Sequence, residues 1–175
     1  KGLVASVTSV LAAAFLDRAF SVGSHSRDFS FDRTCKDFID FIQKYLLPEE
    51  TISFFISMFD FQQEKISYAS YGMYPMCIRP KSENKSIILS GTNPPLMRGE
   101  DGFDAVAIDM PSSFKMVIYT DGACEFRGCD YKVLLKKFGE AEFDDSFVES
   151  YKKEILRSVV SEADDDCTII HILRS

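Results

Sequence analysis

The stretches Lys115–Phe126, KMVIYTDGACEF, and Asp164–Leu173, DDDCTIIHIL, decide how this chain is read. Each joins an apolar β-run to carboxylates: Asp121–Gly122 follows the first run, and Asp164, Asp165 and Asp166 precede the second. A carboxylate at a strand's end is held rigidly by the sheet, while a following Gly lets the backbone turn away. If the two runs are antiparallel neighbours, the end of the first sits beside the start of the second and the acids converge on one edge. Converging carboxylates repel unless a cation neutralises them, and an all-oxygen donor set suits hard ions such as Mg²⁺ or Mn²⁺. Taken singly, a DG turn and an EADDD loop are ordinary solvated segments; their place at two strand edges is what favours the convergent reading.

Outward from these runs, the pattern is first β, then α. From Thr51 the period is two: Ile52, Phe54, Ile56 and Met58 alternate with Ser53 and Ser57, and Ile66, Tyr68 and Ser70 continue after a polar turn, a hairpin pattern. Further strands are expected at Met76–Arg79, Ser86–Leu89, Ala105–Asp109, Lys115–Thr120 and Cys167–Leu173, with turns at KSENK, GTNPP and RGEDG. A helix over 3–20 would pack Leu3, Val7, Val10, Leu11, Ala14 and Phe15 on a sheet. A second, over 34–47, takes Thr34 as cap, Phe38, Ile39, Phe41, Ile42 and Tyr45 as its apolar stripe and Pro48 as its stop. Helices at 130–138 and 144–160 come next. Two early helices, a run of strands, two late helices and a closing strand predict an α+β layered domain of mainly antiparallel sheets. A doubly wound fold needs strict strand–helix alternation, and no phosphate-cradling glycine loop occurs.

The length, 175 residues, predicts a single domain. With 46% hydrophobic and 27% charged residues, a packed core is available. A net charge of −7 and a pI near 4.9 disfavour nucleic acid and anionic lipid surfaces as partners. Five scattered cysteines form no zinc pattern and read as free thiols of a cytoplasmic protein. GLVASVTSVLAAAFL imitates a signal peptide, but Asp17 and Arg18 cut it short of a membrane span, so a buried helix is expected. An opening Lys in place of Met reads as a piece of a longer chain. His25 and His171 are expected to be structural, as are Cys124 and Cys129, and Lys132, Lys136, Lys137, Lys152 and Lys153 to be solvated.

Two quoted motifs carry a family resemblance. YTDGACEF (Tyr119–Phe126) resembles the YTDG-x-x-E motif, and DDCT (Asp165–Thr168) the DDxT motif, of the SpoIIE/RsbU-type branch of PP2C (PPM) metal-dependent serine/threonine phosphatases. SFFISMFDFQQEKISYASYGMYP is similar to the hairpin before that family's AGHxP turn, TNPPL to its PLG loop, and KGLVASVTSVLAAAFL to the helix opening with the KG of GDxxGKG. The resemblance implies a PP2C-like α/β-β/α sandwich without its N-terminal strands, forming the C-terminal part of a longer chain. It implies metal ligation by Asp121 and Asp165, with Asp166, Asp164 and Gly122 as second-tier candidates and Thr168 and Glu125 in support. Two Mn²⁺ or Mg²⁺ ions in the complete domain would activate a water, with no catalytic side chain forming a covalent intermediate. The implied substrate is a phosphorylated anti-anti-sigma, STAS-like regulator in sigma-factor control. The metal-bridging Asp of GDxxGKG would lie before Lys1, so residues 1–175 alone are expected to hydrolyse little. An edge left uncovered by the missing strands predicts a homodimer. Met73 stands where the AGHxP turn has His, and Met97 where the PLG loop has Gly. These departures motivate an alternative, a non-catalytic PP2C-like binding module of the same pathway; a structural Ca²⁺ or Mg²⁺ site in an unrelated α+β domain is a third reading.

Overall fold

The computed structural model describes residues 2–23, 29–100, 102–125, 130–158 and 167–175. In chain order the elements are α1 (Gly2–Gly23), α2 (Phe31–Gln43), β1 (Thr51–Ile52), β2 (Phe54–Asp60), β3 (Lys65–Tyr71), β4 (Met76–Pro80), β5 (Ile87–Leu89), β6 (Leu96–Met97), β7 (Val106–Asp109), β8 (Phe114–Tyr119), α3 (Gly122–Glu125), α4 (Tyr131–Glu140), α5 (Ser146–Ser158) and β9 (Ile169–Arg174). They form two compact units, Lys1–Gly72 with Thr92–Asp109, and Met73–Gly91 with Met110–Ser175.

The first unit is built on the expected hairpin. β2 and β3 pair antiparallel from Phe54↔Tyr71 to Asp60↔Lys65, and β7 adds to β3. The turn closes because Asp60 Oδ1 accepts from the N–H groups of Gln62 and Gln63 at 2.9 and 2.8 Å, a side chain standing in for a backbone turn. The alternating run breaks at Ser53. Ile52 belongs to β1, which pairs with β6 in a separate two-stranded sheet, so the run from 52 to 58 is two strands rather than one.

Phe38, Ile39 and Ile42 of α2 are buried in this unit's core with Ile56, Ala69, Tyr71 and Leu96. Phe54 stacks on Tyr71 at 4.6 Å and meets Phe38 edge-on at 5.3 Å. The cap of α2 is Ser30, not Thr34. Its Oγ accepts from Arg33 N–H and its carbonyl takes the Thr34 N–H at 3.0 Å, which places Thr34 inside the first turn. The helix also stops earlier than expected, at Gln43. There Tyr45 N–H turns to the Ile42 carbonyl at 2.9 Å, a tightened last turn that leaves Tyr45 exposed and buries Leu46 instead.

The buried-helix expectation for α1 is corrected. The helix packs mainly on α2, through Phe15 against Phe38 and Phe41 at 5.7 and 5.0 Å. Val7 and Val10 are 51% and 68% exposed. Ala12, Phe15 and Leu16, spaced three and four apart, make the contact face. No helix among the described residues is long and apolar enough to cross a membrane.

The second unit is a four-stranded antiparallel sheet in the order β5-β4-β8-β9. Alternation sends Lys115, Val117 and Tyr119 of β8 to one face with Arg79 and Cys77 of β4 and His171 of β9. α4 and α5 contact the sheet and each other through aromatic rings: Phe138 meets Phe147 at 5.0 Å and His171 at 5.7 Å, and Phe147 stacks on Tyr151. α4 starts at an Asp130 cap accepting from Lys132 N–H.

Candidate functional site

The antiparallel neighbour relation required by the two acidic motifs is present. β8 and β9 pair from Phe114↔Arg174 to Tyr119↔Ile169. The ladder continues one residue further: Thr120 N–H donates to the Thr168 carbonyl at 3.0 Å, and Thr168 N–H donates to Thr120 Oγ1 at 2.9 Å. Asp121 leaves the sheet at this point with its side chain exposed. Among the described residues only the Gly122 N–H bonds its carboxylate, to Oδ1 at 3.0 Å. Asp164, Asp165 and Asp166 lie outside the described residues, as do His25 and Cys129.

Beyond Asp121 the chain makes no glycine turn. Gly122 is the first residue of α3, and its backbone is helical, so the chain leaves the strand by starting a helix. Ala123 N–H bonds the Thr120 carbonyl at 3.0 Å, and Cys124 N–H the Asp121 carbonyl at 2.7 Å. This short helix is pinned from below: Ala123 and Cys124 are buried, and Tyr151 Oη of α5 donates to the Ala123 carbonyl at 3.2 Å. Tyr119, two residues before Asp121, is fixed as well. Its hydroxyl donates to the Pro75 carbonyl at 2.7 Å, and burial raises its pKa strongly, so the phenol stays a neutral donor. Asp121 is thus an exposed acid on a rigid base, which is what a cation ligand needs.

The donor chemistry here fits a hard cation, since the described groups at this edge are the Asp121 carboxylate and the oxygens of Thr120 and Thr168. Among the described residues no three His, Cys, Asp or Glu side chains cluster. Cys124 is buried, and His171, expected to be a satisfied structural side chain, has Nε2 buried without a partner among the described residues. His171 is half-buried against Phe138, and burial, then the charge on Lys115, lowers its pKa.

The two turn motifs carry their own geometry in the first unit. Gly72 sits at φ +60°, and a Cβ there would fall 2.6 Å from Pro95 Cγ and 2.7 Å from Ser53 Oγ, so no other residue fits. Its N–H donates to the Asn93 carbonyl at 3.1 Å. The Asn93 side chain in turn bonds the Asp104 backbone in both directions at 2.9 Å. The YGMYP glycine and the TNPPL loop are therefore bolted together, while Met97 is exposed.

Sequence reasoning missed two side chains. Lys115 is 1% exposed, its ammonium donating to the Ala141 and Glu142 carbonyls at 2.6 and 3.1 Å above the Phe138 ring. Arg79 lies directly across from it in β4. A lysine inside an alternating apolar strand, KMVIYT, was the available signal.

Solved structures share this fold. The PP2C phosphatase domain of SpoIIE from Bacillus subtilis, solved with a fragment of its regulatory domain, matches with TM-score 0.70 at 16% identity over 99% of this chain. The present chain spans 50% of the length of that structure. The SiaA PP2C domain of Pseudomonas aeruginosa matches with TM-score 0.71 at 12% identity, covering 95% of this chain and 69% of that one. RsbX in complex with magnesium matches with TM-score 0.60 at 17% identity, covering 95% and 75%. No curated protein matches in sequence. The architecture is that of a PP2C-like phosphatase domain, mixed α and β with antiparallel sheets. The sequence profile of Stage II sporulation protein E (SpoIIE) matches residues 1–175, and the chain belongs to that family.

Proposed function

We propose that residues 1–175 act as one PP2C-like domain that hydrolyses phosphoserine or phosphothreonine on a regulator protein of the anti-anti-sigma, STAS-like kind, in cytoplasmic sigma-factor control. The observation that carries this reading is the Thr120–Thr168 backbone pairing, which sets the exit of β8 beside the entry of β9. Asp121 stands at that exit, and Asp165 and Asp166 come three and two residues before Thr168 in the chain.

Asp121 and Asp165 would hold Mn²⁺ or Mg²⁺, with Asp166, Asp164 and Gly122 around them; magnesium in the RsbX structure supports this class of ion. Ions held there would supply a water of lowered pKa and a clamp on the phosphoryl oxygens. The chain's own part is to keep the Asp121 carboxylate exposed and fixed in direction, through Tyr119, Tyr151 and the Thr120 ladder bonds. In the family's GDxxGKG motif, which the 175 residues do not contain, the Asp of GD would complete the set.

The test is manganese binding by calorimetry, with phosphate release from a phosphoserine regulator measured on a chain that carries the upstream GD segment. Asp121→Asn is expected to weaken Mn²⁺ binding by more than about tenfold, the scale on which even outer-shell partners act, and to abolish release. Binding of the regulator that ignores both chelator and Asp121→Asn, with no release from the chain that carries the GD segment, would replace this reading by the non-catalytic binding module that Met73 and Met97 favour.

A further inference from the structure

The second unit holds a cationic pocket at the other end of β8. Lys115 and Asp121 are six residues apart, about 20 Å along an extended strand. The pocket, of ≈ 510 Å³, lies between the β4–β5 edge and α4; its lining includes Arg79, Asn84, Ser86, Ile88, Leu135 and Lys136, with Glu140 beside Lys136. That volume falls within the range of small-molecule sites.

Its charge is unusual for a chain of net charge −7. Arg79 and Lys115 are directly opposed across β4 and β8, on the same face, and neither is in an ion pair among the described residues. Lys115 is spent on two carbonyls and the Phe138 ring. Arg79 uses only Nε, donating to the Gly139 carbonyl at 3.3 Å, and its Nη1 is buried with no partner among the described residues. A guanidinium left short of acceptors in this way is costly. The two cations also repel, and the Arg79 charge is second only to burial in lowering the Lys115 pKa. Lys136 adds a third positive charge at the rim, balanced by Glu140 only at 3.9 Å with both side chains mostly exposed.

We infer that this pocket binds a small phosphate monoester, its phosphoryl group held by the Arg79 guanidinium and the Lys136 ammonium with Ser86 and Asn84 donating, and its organic body lying on Ile88 and Leu135. Arg79 and Lys136 offer charged donors and Ser86 and Asn84 neutral ones, against one lining carboxylate, Glu140, drawn to Lys136, and a guanidinium is the side chain best shaped for phosphate oxygens. The pocket is larger than inorganic phosphate needs, and its apolar side supplies a surface for a carbon skeleton. Gly139 leaves room, since a Cβ there would stand 3.3 Å from Ser86 Oγ.

The experiment titrates the chain by calorimetry with inorganic phosphate and with phenyl phosphate, both in chelator and in the Asp121→Asn background, so that the metal edge contributes nothing. Phenyl phosphate is expected to bind more tightly than inorganic phosphate. Lys136→Glu, an exposed position, should weaken it by about tenfold or more, the loss of one charge-assisted contact, and Gly139→Ala should weaken it by narrowing the pocket. Equal affinity for the two ligands would assign the site to free phosphate and overturn the monoester proposal. No binding, or binding untouched by Lys136→Glu and Gly139→Ala, would overturn the site itself. Because Asp121 is absent from every arm, failure here leaves the phosphatase reading standing, and failure of that reading leaves this one.

Discussion

The two units bury different chemistry. In the first, Phe38, Ile39, Ile42, Ile56 and Leu96 close an aliphatic and aromatic core whose polar member, Tyr71, sends its hydroxyl to the Gly102 carbonyl at 2.9 Å. Burial, together with the nearby Cys35, Asp104 and Glu100, pushes that phenol up to about 12, so it too stays a neutral donor. In the second unit, the helix-covered face of the sheet carries Arg79, Lys115 and His171 among its apolar residues. The difference shows how a helix end is held. The carbonyls of Gly139, Ala141 and Glu142, at and just past the C-terminus of α4, receive Arg79 and Lys115 from the strands below. A helix C-terminus carries unsatisfied carbonyls and partial negative charge, so cations in the sheet do there what a C-cap motif does elsewhere.

The largest expected effect tests the apolar side of this contrast. Phe38→Ala removes a ring that touches Phe15 and Phe54, and urea unfolding should show a loss of about 3–5 kcal/mol, as for other buried Phe positions. A loss below about 1 kcal/mol would mean the first unit's core is loose and the contrast is false. The next effect is smaller. Lys115→Met keeps the stem but leaves two carbonyls without their donor, and a destabilisation of about 1–2 kcal/mol is expected. If Met at this position stabilises the chain, the desolvation of the ammonium outweighs its bonds and Lys115 is retained for something other than holding α4.

Much of this was legible in the sequence, and the reasons are specific. The β2–β3 hairpin followed from two-residue alternation, a local pattern that repeats along the run, whereas the β8–β9 adjacency was only a condition the paired acidic strand ends required, and the ladder from Phe114↔Arg174 to Tyr119↔Ile169 supplies it. The split at Ser53 was not legible. Ile52 and Phe54 have the same period whether they lie in one strand or two, and only β6, more than forty residues later, decides. α1 misled for a related reason: a helix rich in Ala and Val offers apolar residues on every side, so its stripe does not name the packed face. At the site, Asp121 was legible through its position after KMVIYT. The anchors beneath it, Tyr151 and Tyr119, were not, since a tyrosine that donates to a distant carbonyl has no sequence signature. Lys115 was hidden by the rule that lysines face water, which holds unless a helix end offers carbonyls to replace that water.

The smallest effect separates the units by pH. His171 shares its face with Lys115, packs edge-on against Phe138, and has Nε2 buried with no partner among the described residues. Burial and the Lys115 charge lower its pKa below the ordinary 6.5, against the weaker opposing pull of Asp145 and Asp144. The folded chain therefore holds the imidazole neutral at a pH where the unfolded chain has begun to protonate it. Stability rises with pH wherever the unfolded state binds more protons, so this group's contribution is intact above about pH 6.5 and declines as pH falls below it. The slope is at most about 1.4 kcal/mol per pH unit for one proton. His171→Phe removes the titrating group and the orphaned nitrogen while keeping a ring against Phe138. Urea unfolding on either side of that value, at about pH 5.5 and about pH 8, should show the substitution more favourable at the lower pH. An equal effect at both would mean that the imidazole titrates alike in the folded and unfolded chains, and that Lys115 and the surrounding burial do not act on it.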